Sequence, residues 1–127
     1  MAVSAVTLKD TAFETVVKVT TTGTNTNASI VDASALSGAA TNPRLAIVSC
    51  QWTTGSQTNI LFDASSNDVA LSLNGNGAYN IGAQAMPSIP NPGSSGVTGD
   101  ILLTNGSASV GTIWLKLRKT SGYANLT

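Results

Sequence analysis

Few side chains in this sequence could do chemistry at neutral pH, and their spacing gives them little to do. Histidine, the residue that most often titrates near neutrality or holds a metal, is absent. Cys50 is the single thiol. It follows Ile47, Val48 and Ser49 in a β-like run, where a buried and inert thiol is the expected role, since a nucleophile would need a nearby base. Asp63 and Asp68 flank Ser65, Ser66 and Asn67. An oxygen-rich loop of this kind can hold calcium, but Asp and Asn also favour tight turns, and a turn is expected. One Cys without His cannot build a zinc site. No Gly-Lys-Ser/Thr follows a glycine-rich run, and no Gly-x-Ser-x-Gly elbow occurs. Gly75 and Gly77 start like a dinucleotide fingerprint, but Asn80 stands at the third glycine position. No catalytic residue, cofactor or metal is therefore expected, and the chain reads as something other than an enzyme.

One constellation points to binding. Trp114, Lys116 and Arg118 alternate with Ile113, Leu115 and Leu117, so one face of a strand presents a ring and two cations, with Lys119 next door. Trp and Arg are frequent interface anchors. The plainer alternative is that the cationic stems cover the ring on a solvated face. Sugar or phosphate binding is a third reading. Trp52, at the end of an apolar run, is expected as a core or rim anchor.

Composition agrees with a holding role. The chain has 127 residues, 9% of them charged, with six basic and six acidic side chains and no net charge. Length predicts one all-β domain over residues 1–127, with residues 1–9 as an extended N-terminal arm. Balanced charge supplies no long-range field for nucleic acid or an anionic membrane. It also gives little protection against self-association. No basic leader and no long apolar run are visible, so neither a signal peptide nor a membrane helix is expected.

The elements that must position these residues read as strands. Helical periodicity is nearly missing, while Thr, Val and Ile occur throughout. Strands are predicted over residues 3–8, 14–20, 44–52, 59–62, 69–73, 78–81, 100–104 and 111–119. Residues 30–36 fit either a strand or a single helical turn. Turns are predicted at residues 10–12, 53–56, 63–67, 74–77 and 105–106, and polar loops at 21–27 and 38–43. Residues 86–99 form a long Pro- and Gly-rich loop packed on the surface or on a neighbour. About eight short strands separated by frequent turns predict an antiparallel β-sandwich or barrel, jelly-roll-like.

The two ends of the chain resemble a known family. Residues 6–11 (Val-Thr-Leu-Lys-Asp-Thr) with 14–19 (Glu-Thr-Val-Val-Lys-Val), and 114–119 (Trp-Leu-Lys-Leu-Arg-Lys) with Ser121-Gly122-Tyr123, resemble the opening and close of small virion structural proteins of tailed phages, especially marine and cyanobacterial ones. Trp52 falls where those chains also tend to carry a Trp. The resemblance covers about a third of the chain. It implies a capsid decoration (cement) protein or a neck, tail or baseplate component. Such a protein is made in the host cytoplasm, resides in the virion, and contacts the major capsid protein or other virion proteins. It also implies a homo-oligomer, with a trimer favoured. Candidate interface residues are Trp114, Lys116 and Arg118; Met86, Pro87, Pro90 and Pro92 of the long loop; and Val3 and Val6 of the arm, which could add to a neighbour's sheet edge. A jelly-roll carbohydrate-binding module is the alternative, with Trp114 or Trp52 as the stacking ring and Asn74 and Asn76 as polar contacts.

Overall fold

The computed structural model describes residues 2–81, 86–93, 96–106 and 110–124. Strands take up 70% of it and helix 3%, so the all-β antiparallel expectation holds. The strands are β1 (Ala2–Asp10), β2 (Glu14–Thr22), β3 (Asn25–Val31), β4 (Ala39–Phe62), β5 (Asp68–Tyr79), β6 (Ile101–Asn105) and β7 (Gly111–Tyr123), with one 3₁₀ turn, Ala33–Ala35, before β4. They form one sheet in the order β1-β2-β7-β4-β6-β3, and β5 pairs the other edge of β4.

The organising element is β4, with 24 residues. At the rise of a strand it would reach about 80 Å if straight, while a chain of this length folds to a body about 36 Å across. It must bend, and the register locates the bend. Thr54 faces Gly75 and Thr58 faces Leu73, so residues 55–57 oppose Asn74 alone. This corrects two predicted hairpins. Neither residues 53–56 nor residues 74–77 reverse the chain; they are the opposed bulge and bend of one continuous ribbon. Gly75 supplies the left-handed backbone there, at φ +69°.

The same line crosses the neighbouring strands. β7 pairs β4 up to Thr54 and β6 pairs it from Thr58, so β6 and β7 lie end to end along one edge of β4. Asn105-Gly106 is therefore not the turn of a tight hairpin. β2 and β3 lie end to end in the same way, against β7 and β6, and Gly23 at φ +73° marks their break. The predicted polar loop over residues 21–27 shrinks to that break. The sheet is thus folded along one line into two halves. The first holds β1, β2, β7, the first part of β4 and the end of β5; the second holds β3, β6, the rest of β4 and the start of β5.

The core lies inside the fold. Val17 and Val19 of β2, Ile47 of β4, and Ile113, Leu115 and Leu117 of β7 face Ile60, Phe62, Ile101 and Leu103 of the second half, all at most 2% exposed. Asn105, 1% exposed, seals the fold line: its Oδ1 accepts from the Asn25 backbone N–H at 2.8 Å and its Nδ2 donates to the Gly23 carbonyl at 2.8 Å. Residues 30–36 resolve into both alternatives, a strand end followed by a single 3₁₀ turn, with Asp32 accepting from the Ser34 N–H as its cap. Residues 38–43 are not a free loop; β4 already starts at Ala39.

Candidate protein-contact face

The cross-strand register builds one outward row on the first half-sheet. Val6 faces Lys18, Lys18 faces Trp114, Trp114 faces Gln51, and Gln51 faces Ala78. Residues directly opposite in adjacent strands share a face. Val6 is 53% exposed and Trp114 38%. The next row holds Lys9, Val16, Lys116 and Ser49, and beyond it Glu14 faces Arg118. Leu8, 54% exposed, sits at a register shift of β1 between Thr7 and Lys9. Lys18 therefore stands between the open apolar groups of Val6 and Trp114, and Lys9, Lys116 and Arg118 lie on one side of them, while the row on the other side, Ser4, Thr20, Thr112 and Thr53, is uncharged. Glu14 is the one carboxylate among the cations, 2.7 Å from Lys9 Nζ and 3.7 Å from Lys116 Nζ. The hydrogen bond from Lys9, reinforced by the charge of Lys116, holds the Glu14 carboxyl below its ordinary value.

The alternation read for residues 113–118 is what the structure has, with Trp114, Lys116 and Arg118 outward. Lys119 differs. It continues the inward phase and is buried, bonded to Asp10 Oδ1 at 2.7 Å and to the carbonyls of Thr11 and Ser37. Its Nζ also stands 5.1 Å from the centre of the Tyr123 ring. It belongs to the interior rather than to the cationic face. Lys18 and Gln51 were not singled out in the sequence, although the alternation of Val17 and Val19 around Lys18 carries the same signal that marked Trp114.

Of residues 1–9, expected as an arm, residues 2–9 lie in β1, which pairs with the chain's own β2, and Met1 lies outside the described residues. Val6 then joins the row of Trp114. Val3 lies in the opposite phase and packs against the core.

The long loop lies beside this face. Past Cys50, β5 no longer accompanies β4, and Ile89 takes its place with two backbone bonds to Ile47, 2.8 and 2.9 Å. Tyr79 donates to the Pro87 carbonyl at 2.6 Å, Arg44 to Gly93 at 3.0 Å, and Arg118 to Ser88 Oγ at 3.3 Å. Asn80, at φ +57°, donates to the Val48 carbonyl and accepts from the Met86 N–H. The loop is thus held on its own sheet, with Met86, Pro87, Pro90 and Pro92 exposed along its outer side.

The other candidates for chemistry are occupied structurally. Burial pushes the Cys50 thiol up to about 12, far from a working thiolate. Asn67 Oδ1 accepts from the Ala64 N–H, a local turn contact, and Asp63 accepts from the Thr98 hydroxyl of the long loop. Among the described residues, no three His, Cys, Asp or Glu side chains gather to hold a metal. A cleft of about 340 Å³ opens between β1 and β3. Its two carboxylates are engaged, Asp10 with Lys119 and Asp32 with its cap. Trp52 packs against the core and its ring covers Gly77, so it offers no stacking surface beside Trp114. Among the described residues, no helix is long and apolar enough to cross a membrane.

Comparison with protein families, characterised proteins and solved structures finds no match to this chain.

Proposed function

We propose that this chain is a non-enzymatic structural protein of a phage virion, a capsid decoration protein that stabilises the head by adding contacts between neighbouring subunits. The observation that supports this most is the outward face of the first half-sheet. It leaves Val6 and Trp114 open on either side of Lys18, with Lys9, Lys116 and Arg118 beside them, while Asn105 and Lys119 are spent on holding the fold. An exposed aromatic ring and apolar group beside arginine and lysine are features of a protein contact. The resemblance of the chain ends to virion proteins supplies the setting: synthesis in the host cytoplasm, residence in the particle, and the major capsid protein as partner. A neck, tail or baseplate position uses the same face.

The carbohydrate-module reading draws on one arrangement. Gln51 stands opposite Trp114, and Thr53 and Asn76 stand opposite each other one row away, so a sugar ring stacked on the indole would meet amides.

The test is the mass of the purified chain in solution, followed by co-sedimentation with phage heads that lack it. A defined oligomer that pellets with heads is expected, and Trp114→Ala should weaken the pelleting about tenfold or more. A chain that ignores heads but pellets with tails, or one that binds a glycan array through Trp114, overturns the decoration reading.

A further inference from the structure

The charges of this chain are neutral in sum but segregated in space. Lys119 and Asp10 pair internally. Of the remaining ten side-chain charges, Lys9, Lys18, Lys116, Arg118 and Glu14 occupy the outward face of the first half-sheet, four cations against one carboxylate. The other five are Asp32, Asp63, Asp68, Asp100 and Arg44. The register gathers the four carboxylates at the far end of the second half-sheet. β3 ends at Val31 just before Asp32, β4 ends at Phe62 just before Asp63, β5 starts at Asp68, and β6 starts just after Asp100. Phe62 faces both Asp68 and Ile101, and Ile101 faces Val31. Asp32 and Asp63 repel the Asp100 carboxylate. Arg44, the only cation outside the face and the buried pair, is turned onto the Gly93 carbonyl. A face of net +3 and an end of four carboxylates thus stand on different parts of one molecule.

We infer that the cationic face around Val6 and Trp114 docks on the Asp32–Asp63–Asp68–Asp100 end of a second copy of this chain. This rests on reading that face as a protein-contact surface and adds a second copy of the chain to the partners it takes. Face and end are different surfaces, so the contact is heterologous: a pair of copies keeps one free face and one free end. Such contacts close into a ring where the rotation allows and otherwise run on as an open chain. A face-to-face pair would instead set four cations against four. Rim charges of this kind act mainly on encounter and specificity and are screened over about 10 Å at 0.1 M salt. The association is therefore salt-sensitive, with the open apolar groups of Val6 and Trp114 supplying the part that salt does not remove.

The test is sedimentation velocity on the full chain and two charge-reversed variants, Lys18→Glu/Lys116→Glu on the face and Asp63→Lys/Asp68→Lys at the end. Folding of each is checked by circular dichroism. The unaltered chain should form species larger than a dimer at 20 mM salt, and its association constant should fall about tenfold or more at 300 mM. Each variant alone should be monomeric. Mixed one to one, they should associate again, because the intact end of the face variant meets the intact face of the end variant. If a variant fails to fold, the salt titration of the unaltered chain decides alone. An unaltered chain that is monomeric at low salt, stops at a dimer or assembles indifferently to salt, a face variant that still self-associates, or variants that stay monomeric when mixed overturn the inference. The virion reading fails separately. Self-association without pelleting on heads sinks that reading alone, and pelleting on heads without salt-sensitive self-association sinks this one alone.

Discussion

Lys119 Nζ lies 2.7 Å from Asp10 Oδ1, with the lysine side chain 0% exposed and the aspartate 24% exposed. The pair ties the last strand to the end of the first. The carbonyls of Thr11 and Ser37, which complete the ammonium's bonds, bring in the β1–β2 turn and the segment after the 3₁₀ turn. Burial pushes the Asp10 carboxyl up, but hydrogen bonds from Lys119, the Ser37 N–H and Thr15, with the lysine's charge, outweigh it and hold the group below its ordinary value.

A carboxyl lowered in the folded state stabilises the fold above its unfolded value of about 3.9, and that contribution is lost as pH falls through the folded value. Asp10→Asn should therefore destabilise the chain at pH 7 by about 3 kcal/mol, because it strands a buried cation. The penalty should shrink as pH falls through the lowered folded value, where the native Asp10 is also protonated. Chemical denaturation at a series of pH values measures both limits.

Asp100 should behave with the opposite sign. Burial raises its carboxyl above the ordinary value, the Ala33 N–H partly offsets this, and repulsion from Asp32 and Asp63 adds to the rise. The ionised form thus costs stability at neutral pH, and the cost disappears as pH falls through the folded value to the unfolded one. Asp100→Asn keeps an acceptor for Ala33 and should leave the chain at least as stable at pH 7. Its advantage should vanish near pH 3. Thermal unfolding at the two pH values distinguishes this from a simple structural contact, which would be lost at both.

Gly77 stands opposite Trp52, and a Cβ added there would overlap the indole ring. Gly77→Ala should displace the ring, destabilise the chain by about 1–3 kcal/mol and shift Trp52 fluorescence to the red. Space is open around Gly75. Gly75→Ala should cost about 1–2 kcal/mol through its positive φ alone, with no change in Trp52 emission.

Removing the Asn105 amide leaves the Asn25 N–H and the Gly23 carbonyl without their partner at the fold line. Asn105→Ala should cost about 2–4 kcal/mol. Amide hydrogen exchange should rise first at residues 23–25, where β2 gives way to β3.

Cys50 should resist thiol reagents in the folded chain and react at the rate of a free thiol once denatured, since burial keeps its thiol protonated. Fast labelling of the native protein would show that the strands around it open.

The all-β class, most strand positions and the outward phase of Trp114, Lys116 and Arg118 were legible in the sequence. They depend on side-chain type and period-two alternation, which are local. The same signals misled where a residue has two uses. Gly55, Gly75 and Asn105-Gly106 carry turn chemistry, and the backbone freedom that allows a chain reversal also allows a bulge in a continuing strand. Which of the two occurs depends on whether a partner strand continues past the site. Here β4 and β5 continue past it together, and β6 and β7 follow β4 on both sides of it. Lys119 reads in the sequence only as a neighbour of the cationic face. Its alternation with Arg118 already put it inward, but only the arrival of Asp10 from 109 residues away makes a buried ammonium tolerable. The segregation of charge has the same origin. Composition determined that the chain would be neutral, whereas tertiary structure decided that the cations share one sheet face and the carboxylates one end, because strand register and the fold line set which distant residues become neighbours.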